Sequence, residues 1–295
     1  MAETTSIAWC DSTVNFWIGC TKVSDGCDHC YASVSTPART MKIPWGPGAP
    51  RHRTGVESWR APLTWNRQHE AFFAQHGRRR RVFAQSLSDT FDNEVPESWR
   101  ANALDTMEHT PNLDWLVLTK RVGNVRGMVP QRWLEPGGWP RHIRIGASIV
   151  NQPEAERDIP KLLALPCPNF VSMEPLLGPV DLERPRPGPD LDQGGGQMIC
   201  QPWLIQSGIE WIILGAESGP NARPAIVQWF HSLVLQAQAA GVPLLVKQLG
   251  RVVHDYGMAS PGQHWPTGYE RMHIPRFAED DPGFAVHLKH PKGGD

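Results

Sequence analysis

The chain has 295 residues, a hydrophobic fraction of 40% and a formal net charge of −1; this length suits a single α/β barrel. Because 29 basic residues balance 30 acidic ones, the overall charge gives no argument for binding nucleic acid or a membrane surface. No window approaches the roughly 20 apolar residues that span a bilayer, and residues 1–5 lack the features of a signal peptide, so we expect a cytoplasmic protein with no membrane partner.

Short apolar runs alternate with helical stretches along the chain, which is typical of α/β folds. Most runs are apolar on both faces, as parallel strands covered by helices require. The predicted strands cover residues 14–18, 81–85, 115–119, 143–147, 170–173, 211–214 and 244–246. Helices are predicted at residues 97–109, 153–165 and 224–240, and one from about residue 31. We therefore predict a partial or full TIM-type (β/α) barrel.

Two segments interrupt this alternation and predict loop insertions in the barrel. Residues 43–62 are rich in Pro, Gly, Arg and Trp, and residues 182–206 are rich in Pro and Gly. Both are longer than routine connections between elements. The predicted organisation is a barrel over residues 1–250, with these two insertions, followed by a C-terminal extension over residues 251–295.

Cys20, Cys27 and Cys30 form a C-x6-C-x2-C motif that is followed at once by Tyr-Ala. In a reducing compartment such a cluster indicates metal binding or catalysis more than disulfides. A 4Fe–4S cluster held by three thiolates keeps one iron open for a small molecule. S-adenosylmethionine (SAM) can chelate that iron through its amino and carboxylate groups, and the reduced cluster can then cleave SAM to a deoxyadenosyl radical.

Two other interpretations of the motif stay open. Zinc prefers four closed ligands, and His29 is the only histidine near the three cysteines. His29 lies between Cys27 and Cys30, where its reach to a shared ion is awkward. The second interpretation is that the three cysteines are buried free thiols that bind no metal.

Nearly every predicted strand ends in polar or charged residues, and in a barrel these ends converge on the face that holds the active site. A zwitterionic ligand suits such a ring: Lys120 or Arg121 can bind a carboxylate, and Glu174 or Glu217 an ammonium or ribose hydroxyls. Lys120, Arg121 and Lys247 are the expected partners of both glutamates. Each residue can also be a local cap or a rim salt bridge. The predicted cofactor-binding residues are Ser86, Asp89, Thr119, Arg121, Ser148, Glu174, Glu217 and Lys247, and the predicted catalytic residues are Lys120, Glu174 and Glu217.

Residues 78–81 are four consecutive arginines, which can grip phosphates or can form a solvated turn before a strand. Six of the 13 tryptophans lie in the first hundred residues. They can stack on a nucleobase, although ordinary packing in the core and the insertion is the favoured explanation. Nucleic acid or a nucleotide is therefore a candidate substrate or partner.

The segment Gly-Cys…Gly-Cys-Asp-His-Cys-Tyr-Ala, over residues 19–32, resembles the Cys-x2-Cys-Tyr-Ala ending of radical SAM proteins related to spore photoproduct lyase. Its first gap is longer than the C-x3-C-x2-C spacing that is commonest in that superfamily. Over about residues 5–250 the chain resembles an uncharacterised phage and bacterial three-cysteine-motif family. The shared landmarks lie at residues 9–15, 86–89, 118–121, 172–179, 215–219 and 247–248. The resemblance implies a radical SAM-like fold and a cofactor, and it names no reaction.

Two functions follow as hypotheses. The first is a radical SAM enzyme that binds a 4Fe–4S cluster and SAM, receives electrons from a donor such as a flavodoxin or ferredoxin, and acts on nucleic acid or a nucleotide. The second is a non-catalytic partner protein in which an iron–sulfur cluster or zinc is structural.

Overall fold

The computed structural model describes residues 2–183, 208–218, 221–249 and 253–254. Its main element is a sheet of seven parallel strands that curls into a half-barrel. In spatial order the strands are β1 (Ser12–Val14), β4 (Arg80–Ala84), β5 (Leu113–Thr119), β6 (Ile143–Ser148), β7 (Asn169–Met173), β8 (Ile212–Gly215) and β10 (Leu244–Gln248). The predicted α/β fold is confirmed at this level, as a partial barrel.

Seven α-helices accompany the sheet in the described residues. They are α1 (Thr36–Thr40), α2 (Val56–Arg67), α3 (His69–His76), α4 (Glu97–Glu108), α5 (Val122–Met128), α6 (Gln152–Leu163) and α7 (Val227–Ala240). Local sequence sets their ends: the Asn151 side chain accepts a hydrogen bond from the Glu154 N–H at 3.0 Å to start α6, and Gly241 ends α7 in the left-handed conformation. The three longer predicted helices are confirmed as α4, α6 and α7.

The two faces of the sheet carry different cores, because side chains alternate along each strand. One face packs its aliphatic and aromatic residues against the helices. The concave face carries a second cluster with no helix residues, formed by Trp9, Cys10, Phe83, Leu116, Phe170, Trp211, Ile213 and Leu245. Gly146 leaves room for this cluster, since a Cβ at that position would lie 2.2 Å from Cζ of Phe170.

The segment before β1 fills the open interior of the half-barrel. The ring of Trp9 lies 4.5 Å from Phe83, 6.1 Å from Phe170 and 6.4 Å from Trp211, measured between centroids. These tilted and edge-on contacts are favourable aromatic geometries. Trp9 therefore forms an aromatic layer with Phe83, Phe170 and Trp211 on this face of the sheet.

The first strand differs from its prediction over residues 14–18. β1 ends at Val14, and Trp17–Ile18 forms a separate strand, β2, that pairs antiparallel with β3 (His52–Arg53). The chain leaves the sheet between them because other groups satisfy its backbone: Phe16 N–H donates to Gln85 Oε1 at 2.8 Å, and Thr54 Oγ1 donates to the Asn15 carbonyl at 2.8 Å.

The helix expected from about residue 31 is also different. The chain makes turns after Tyr31, and α1 begins at Thr36, where Ser35 caps it and Pro37 occupies its first turn. The predicted insertion at residues 43–62 is not an irregular loop throughout. Its second half contains β3 and the start of α2, in which Pro62 is buried.

Most of the second predicted insertion, residues 184–206, lies outside the described residues, as does nearly all of the extension. Val253–His254 forms β11, which pairs in parallel with β9 (Ala225–Ile226), so one contact crosses the predicted boundary at residue 250. Among the residues described, no helix combines the length and apolar character needed to cross a membrane.

Candidate functional site

A cavity of about 430 Å³ opens at the carboxyl ends of the parallel strands. All twelve residues predicted for the site line it, although they come from six strand ends and the cysteine loop. They are Cys20, Cys27, Cys30, Ser86, Asp89, Thr119, Lys120, Arg121, Ser148, Glu174, Glu217 and Lys247. Their convergence follows from the common direction of the strands; their chemical roles stay predictions.

The cysteine loop is held against the sheet by close backbone approach. Ser24 Oγ accepts a hydrogen bond from the Gly26 N–H at 3.1 Å, which starts a short turn that contains Cys27. A Cβ at Gly26 would lie 2.6 Å from Cγ1 of Val150 and 3.3 Å from Cε of Lys120. Glycine at this position therefore lets the loop reach the ends of β5 and β6.

Cys27 is buried, whereas Cys20 and Cys30 are partly exposed. Burial raises the pKa of Cys20 to about 12, the charge of Asp89 adds to this effect, and Arg121 opposes it. The Cys20 thiol is therefore protonated near neutral pH, and metal binding there would release a proton. Three sulfur donors on one cavity wall suit thiophilic metals and iron–sulfur clusters.

In the described part of the chain, no group of three or more His, Cys, Asp or Glu side chains is arranged to hold a metal ion. Zinc with thiolate ligands needs all its sulfurs at about 2.3 Å from one ion. A 4Fe–4S cluster takes each thiolate on a different iron, so it accepts wider sulfur separations. His29, the candidate fourth zinc ligand, has its Nδ1 at 2.9 Å from Glu217 Oε2.

Asp89 and Arg121 bind each other and connect β5 to the cysteine loop. Asp89 accepts hydrogen bonds from Thr119 Oγ1 at 2.8 Å, the Lys120 N–H at 3.1 Å and Arg121 Nη1 at 3.0 Å. Arg121 Nη2 also donates to the Thr21 carbonyl at 2.7 Å, and Nη1 lies 3.5 Å from Cys20 Sγ. In this arrangement the Arg121 guanidinium holds the loop, which differs from the predicted grip on a ligand carboxylate.

Among the described residues, Lys120 is a cation of the cavity that forms no ion pair. Its Nζ donates to Ser148 Oγ at 2.6 Å, and no carboxylate of the described residues forms an ion pair with it. A partly buried ammonium without an anionic partner is an unfavourable state that a bound anion relieves. Lys120 is therefore the best-placed group for a ligand carboxylate or phosphate.

The two predicted glutamates have different partners. Glu174 binds Lys247, as predicted, with Lys247 Nζ at 2.5 Å from Glu174 Oε1. The prediction for Glu217 was wrong: its partners are His29 and Arg223, and Arg223 donates from its backbone N–H at 2.7 Å and from Nη2 at 2.6 Å. Burial by itself raises the pKa of Glu217, but the hydrogen bonds from Arg223 outweigh it and lower the pKa to about 2.

Arg223 and Gln85 are site residues that the sequence reasoning missed. Arg223 also binds the cysteine loop, through Asp28 Oδ2 at 3.3 Å and the Asp25 carbonyl at 2.8 Å. Its position between strand β8 and helix α7 was a usable signal, because that connection must lie at the carboxyl end of the sheet. Gln85 was assigned to a strand interior, but it follows β4 and lines the cavity.

Ser86 accepts a hydrogen bond from Asn15 Nδ2 at 3.0 Å, and its carbonyl accepts one from the Tyr31 hydroxyl at 2.8 Å. These contacts tie the end of β4 to β1 and to the cysteine loop. Ser86 therefore has a structural role in addition to any contact with a ligand.

The arginine run lies elsewhere, at the amino end of β4. Arg78 binds Asp11 through two bonds of 2.6 and 2.8 Å. Arg79 lies 3.8 Å from Asp114, and the Arg80 guanidinium lies over Phe72, 4.5 Å from its ring centroid. These contacts favour the structural reading of the run over a phosphate grip.

Comparisons with curated proteins and with solved structures gave no match. A scan of family models matched one, described as "Protein of unknown function (DUF5131)", over residues 4–276. Because this match covers most of the 295 residues, the chain belongs to the DUF5131 family.

Proposed function

We propose that this protein is a radical SAM enzyme, in which Cys20, Cys27 and Cys30 hold a 4Fe–4S cluster and SAM binds at the open iron. One observation carries the proposal: three cysteines of one loop and the ring of charged strand ends line a single cavity. The fit is one of donor chemistry and position, since sulfur ligands and groups that suit a zwitterion face the same space.

When bound, the reduced cluster supplies the electron that cleaves SAM. The protein's own residues bind and orient the ligand. Lys120, which forms no ion pair with a described residue, holds a carboxylate, and the Glu174–Lys247 pair offers both charges to an amino acid group. Glu217 and Arg223 hold the cysteine loop in place through His29 and Asp28. An electron donor such as a flavodoxin or ferredoxin completes the system, with nucleic acid or a nucleotide as the candidate substrate.

The test is anaerobic reconstitution with iron and sulfide, followed by metal analysis and a visible spectrum. We expect a brown protein with about four irons per chain, which on chemical reduction converts SAM to 5′-deoxyadenosine. Cys20→Ala should remain folded and lose the cleavage. Cys167→Ala is the matched control, because Cys167 is buried away from the cavity. A colourless, zinc-loaded protein contradicts the proposal.

A second candidate is a non-catalytic partner protein with a structural cluster or zinc. It is favoured by the exposed apolar side chains around the cysteine loop, which offer a contact surface for another protein. These are Val23, Tyr31, Val34 and Met41, each 46% or more exposed. For this candidate, Cys20→Ala should unfold the loop and abolish partner binding, whereas the enzyme proposal predicts a folded and inactive variant.

A further inference from the structure

Several N–H donors on the cavity wall have no acceptor in the described part of the protein. Trp9, Trp45 and Gln85 line the cavity. Their side-chain donors Trp9 Nε1, Trp45 Nε1 and Gln85 Nε2 are buried and lack a hydrogen-bond partner among the described residues. Among the described residues that line the cavity, no side-chain acceptor is both buried and without a hydrogen-bond partner. A buried donor without a partner costs about 1–3 kcal/mol, and native proteins rarely keep one without a reason. The cavity is therefore suited to a ligand rich in acceptors.

The orientation of the Gln85 amide is determined by the main chain. Its Oε1 accepts the Phe16 N–H at 2.8 Å, so the donating Nε2 must be on the other side of the amide. The amide cannot exchange its ends without losing that bond to a buried N–H group. The end of the Gln85 amide that has no partner among the described residues is therefore a donor.

The backbone of Gln85 is in an uncommon conformation for a residue with a side chain. Its φ is +63°, in the left-handed region, and its N–H donates to the Val14 carbonyl at 2.7 Å. A non-glycine residue held there costs on the order of 1–3 kcal/mol, and such residues cluster at functional sites. In this conformation Gln85 directly follows the last residue of β4, at the mouth of the half-barrel.

The adjacent cavity wall is apolar and partly aromatic. Phe83 lies two residues before Gln85, and its ring is 4.5 Å from that of Trp9. Ile7 and Leu118 line the same space. A flat ring can pack its face against such an apolar wall while a fixed amide donates hydrogen bonds to acceptors at the edge of the ring.

We propose that the cavity binds a planar heterocycle of the nucleobase class, with carbonyl or ring-nitrogen acceptors at its edge, and that Gln85 is the residue that selects it. The ring lies against Trp9, Phe83 and Leu118, while Gln85 and Trp45 donate to its acceptors. Assignment of this ring to the substrate rests on the proposed enzyme function. Binding of the ring in the cavity does not depend on that function.

The test measures binding of the four common nucleosides to the full-length protein by calorimetry. The tightest binder is then compared with its shape-matched analogue that lacks edge acceptors, a difluorotoluene deoxyriboside for pyrimidines or a methylindole deoxyriboside for purines. We expect the natural nucleoside to bind at least about tenfold more tightly than the analogue. Equal affinities would overturn the proposal, as would the absence of any nucleoside binding.

Gln85→Glu is the decisive variant, because one carboxylate oxygen can still accept the Phe16 N–H while the other replaces the donor with an acceptor. We expect a loss of at least about tenfold in nucleoside affinity. Gln75→Glu makes the same charge change on the exposed side of α3 and should bind as the parent does. Trp45→Phe keeps an aromatic ring and removes one donor, so its nucleoside affinity should fall severalfold. This second variant tests the proposal even if Gln85→Glu does not fold. Unchanged binding in the folded variants overturns the assignment.

A competition arm identifies the source of the ring. If saturating SAM displaces the nucleoside, the ring site belongs to SAM and the substrate assignment is wrong. If both bind together, the assignment is supported. Because nucleoside binding needs no SAM cleavage, a protein that binds nucleosides but never cleaves SAM contradicts the proposed enzyme and leaves this inference standing.

Discussion

The two ends of the half-barrel both contain ion pairs, and they differ in that only the carboxyl end surrounds the described cavity and carries Lys120, a cation without an ion pair among the described residues. At the amino ends of the strands, Arg78 forms a two-bond pair with Asp11, and Arg79 lies beside Asp114. At the carboxyl ends, charges surround a cavity, and Lys120 forms no ion pair with any described residue. Paired charges stabilise the structure or merely balance their desolvation cost. Unpaired charges and donors beside open space indicate a ligand site.

The largest expected effect is a loss of SAM affinity after a substitution at the carboxyl end of the half-barrel. Lys120→Met should reduce SAM affinity roughly 100-fold, about 2.8 kcal/mol, because it removes a cation that no described carboxylate neutralises. Equilibrium dialysis of the reconstituted protein with labelled SAM measures this. The Lys120→Met melting temperature should stay near the parent value, since Lys120 contributes one hydrogen bond to Ser148. Unchanged SAM affinity would remove Lys120 from the site.

The converse experiment is at the amino end. Arg78→Met should lower the free energy of unfolding by about 2 kcal/mol, because the partly buried Asp11 carboxylate loses both its bonds to the guanidinium. Urea denaturation measures the loss. SAM affinity should be unchanged, and a large loss of binding at this distance would contradict the division between the two ends.

Substitution of Arg223 is expected to have a smaller effect, confined to the cysteine loop. Arg223→Met should increase amide hydrogen exchange of residues 24–30 roughly tenfold, about 1.4 kcal/mol, because it removes the contacts to Glu217, Asp28 and the Asp25 carbonyl. Exchange in β5 and β6 provides the internal control. Equal acceleration across the sheet would indicate global destabilisation and contradict a role specific to the loop.

The smallest expected effect is a pH dependence of the amino-end pair. Burial by itself raises the pKa of Asp11, but the hydrogen bond and charge of Arg78 outweigh it and lower the pKa below 3.8. The stabilisation is therefore present above pH 3.8 and is lost as the pH falls through the lowered value. Parent and Asp11→Asn should differ by about 1 kcal/mol at pH 6 and by less at about pH 3. Urea denaturation at both values checks this, and a difference that grows toward low pH would contradict the sign.

Much of the fold was predictable, because apolar runs and helix-capping residues are local signals. Six of the seven predicted strands correspond to strands of the seven-stranded sheet, whereas the first shares only Val14 with β1. Helices α4, α6 and α7 begin and end within a few residues of their predicted bounds. The errors at residues 14–18 and after residue 31 have one cause. In both places distant or capping side chains, such as Gln85, Thr54 and Ser35, satisfy the backbone and override the local pattern.

By itself the sequence determined which residues meet. Parallel strands share a direction, so polar residues that follow apolar runs must converge at one end, with the cysteine loop beside them. Only the tertiary structure decided how those residues pair. It paired Arg121 with Asp89 and Glu217 with Arg223. Among the described residues it left Lys120 without a carboxylate partner and Gln85 Nε2 without an acceptor. The physical reason is range: strand direction is encoded locally, whereas hydrogen-bond and ion-pair partners depend on loops that bring distant positions within about 3 Å.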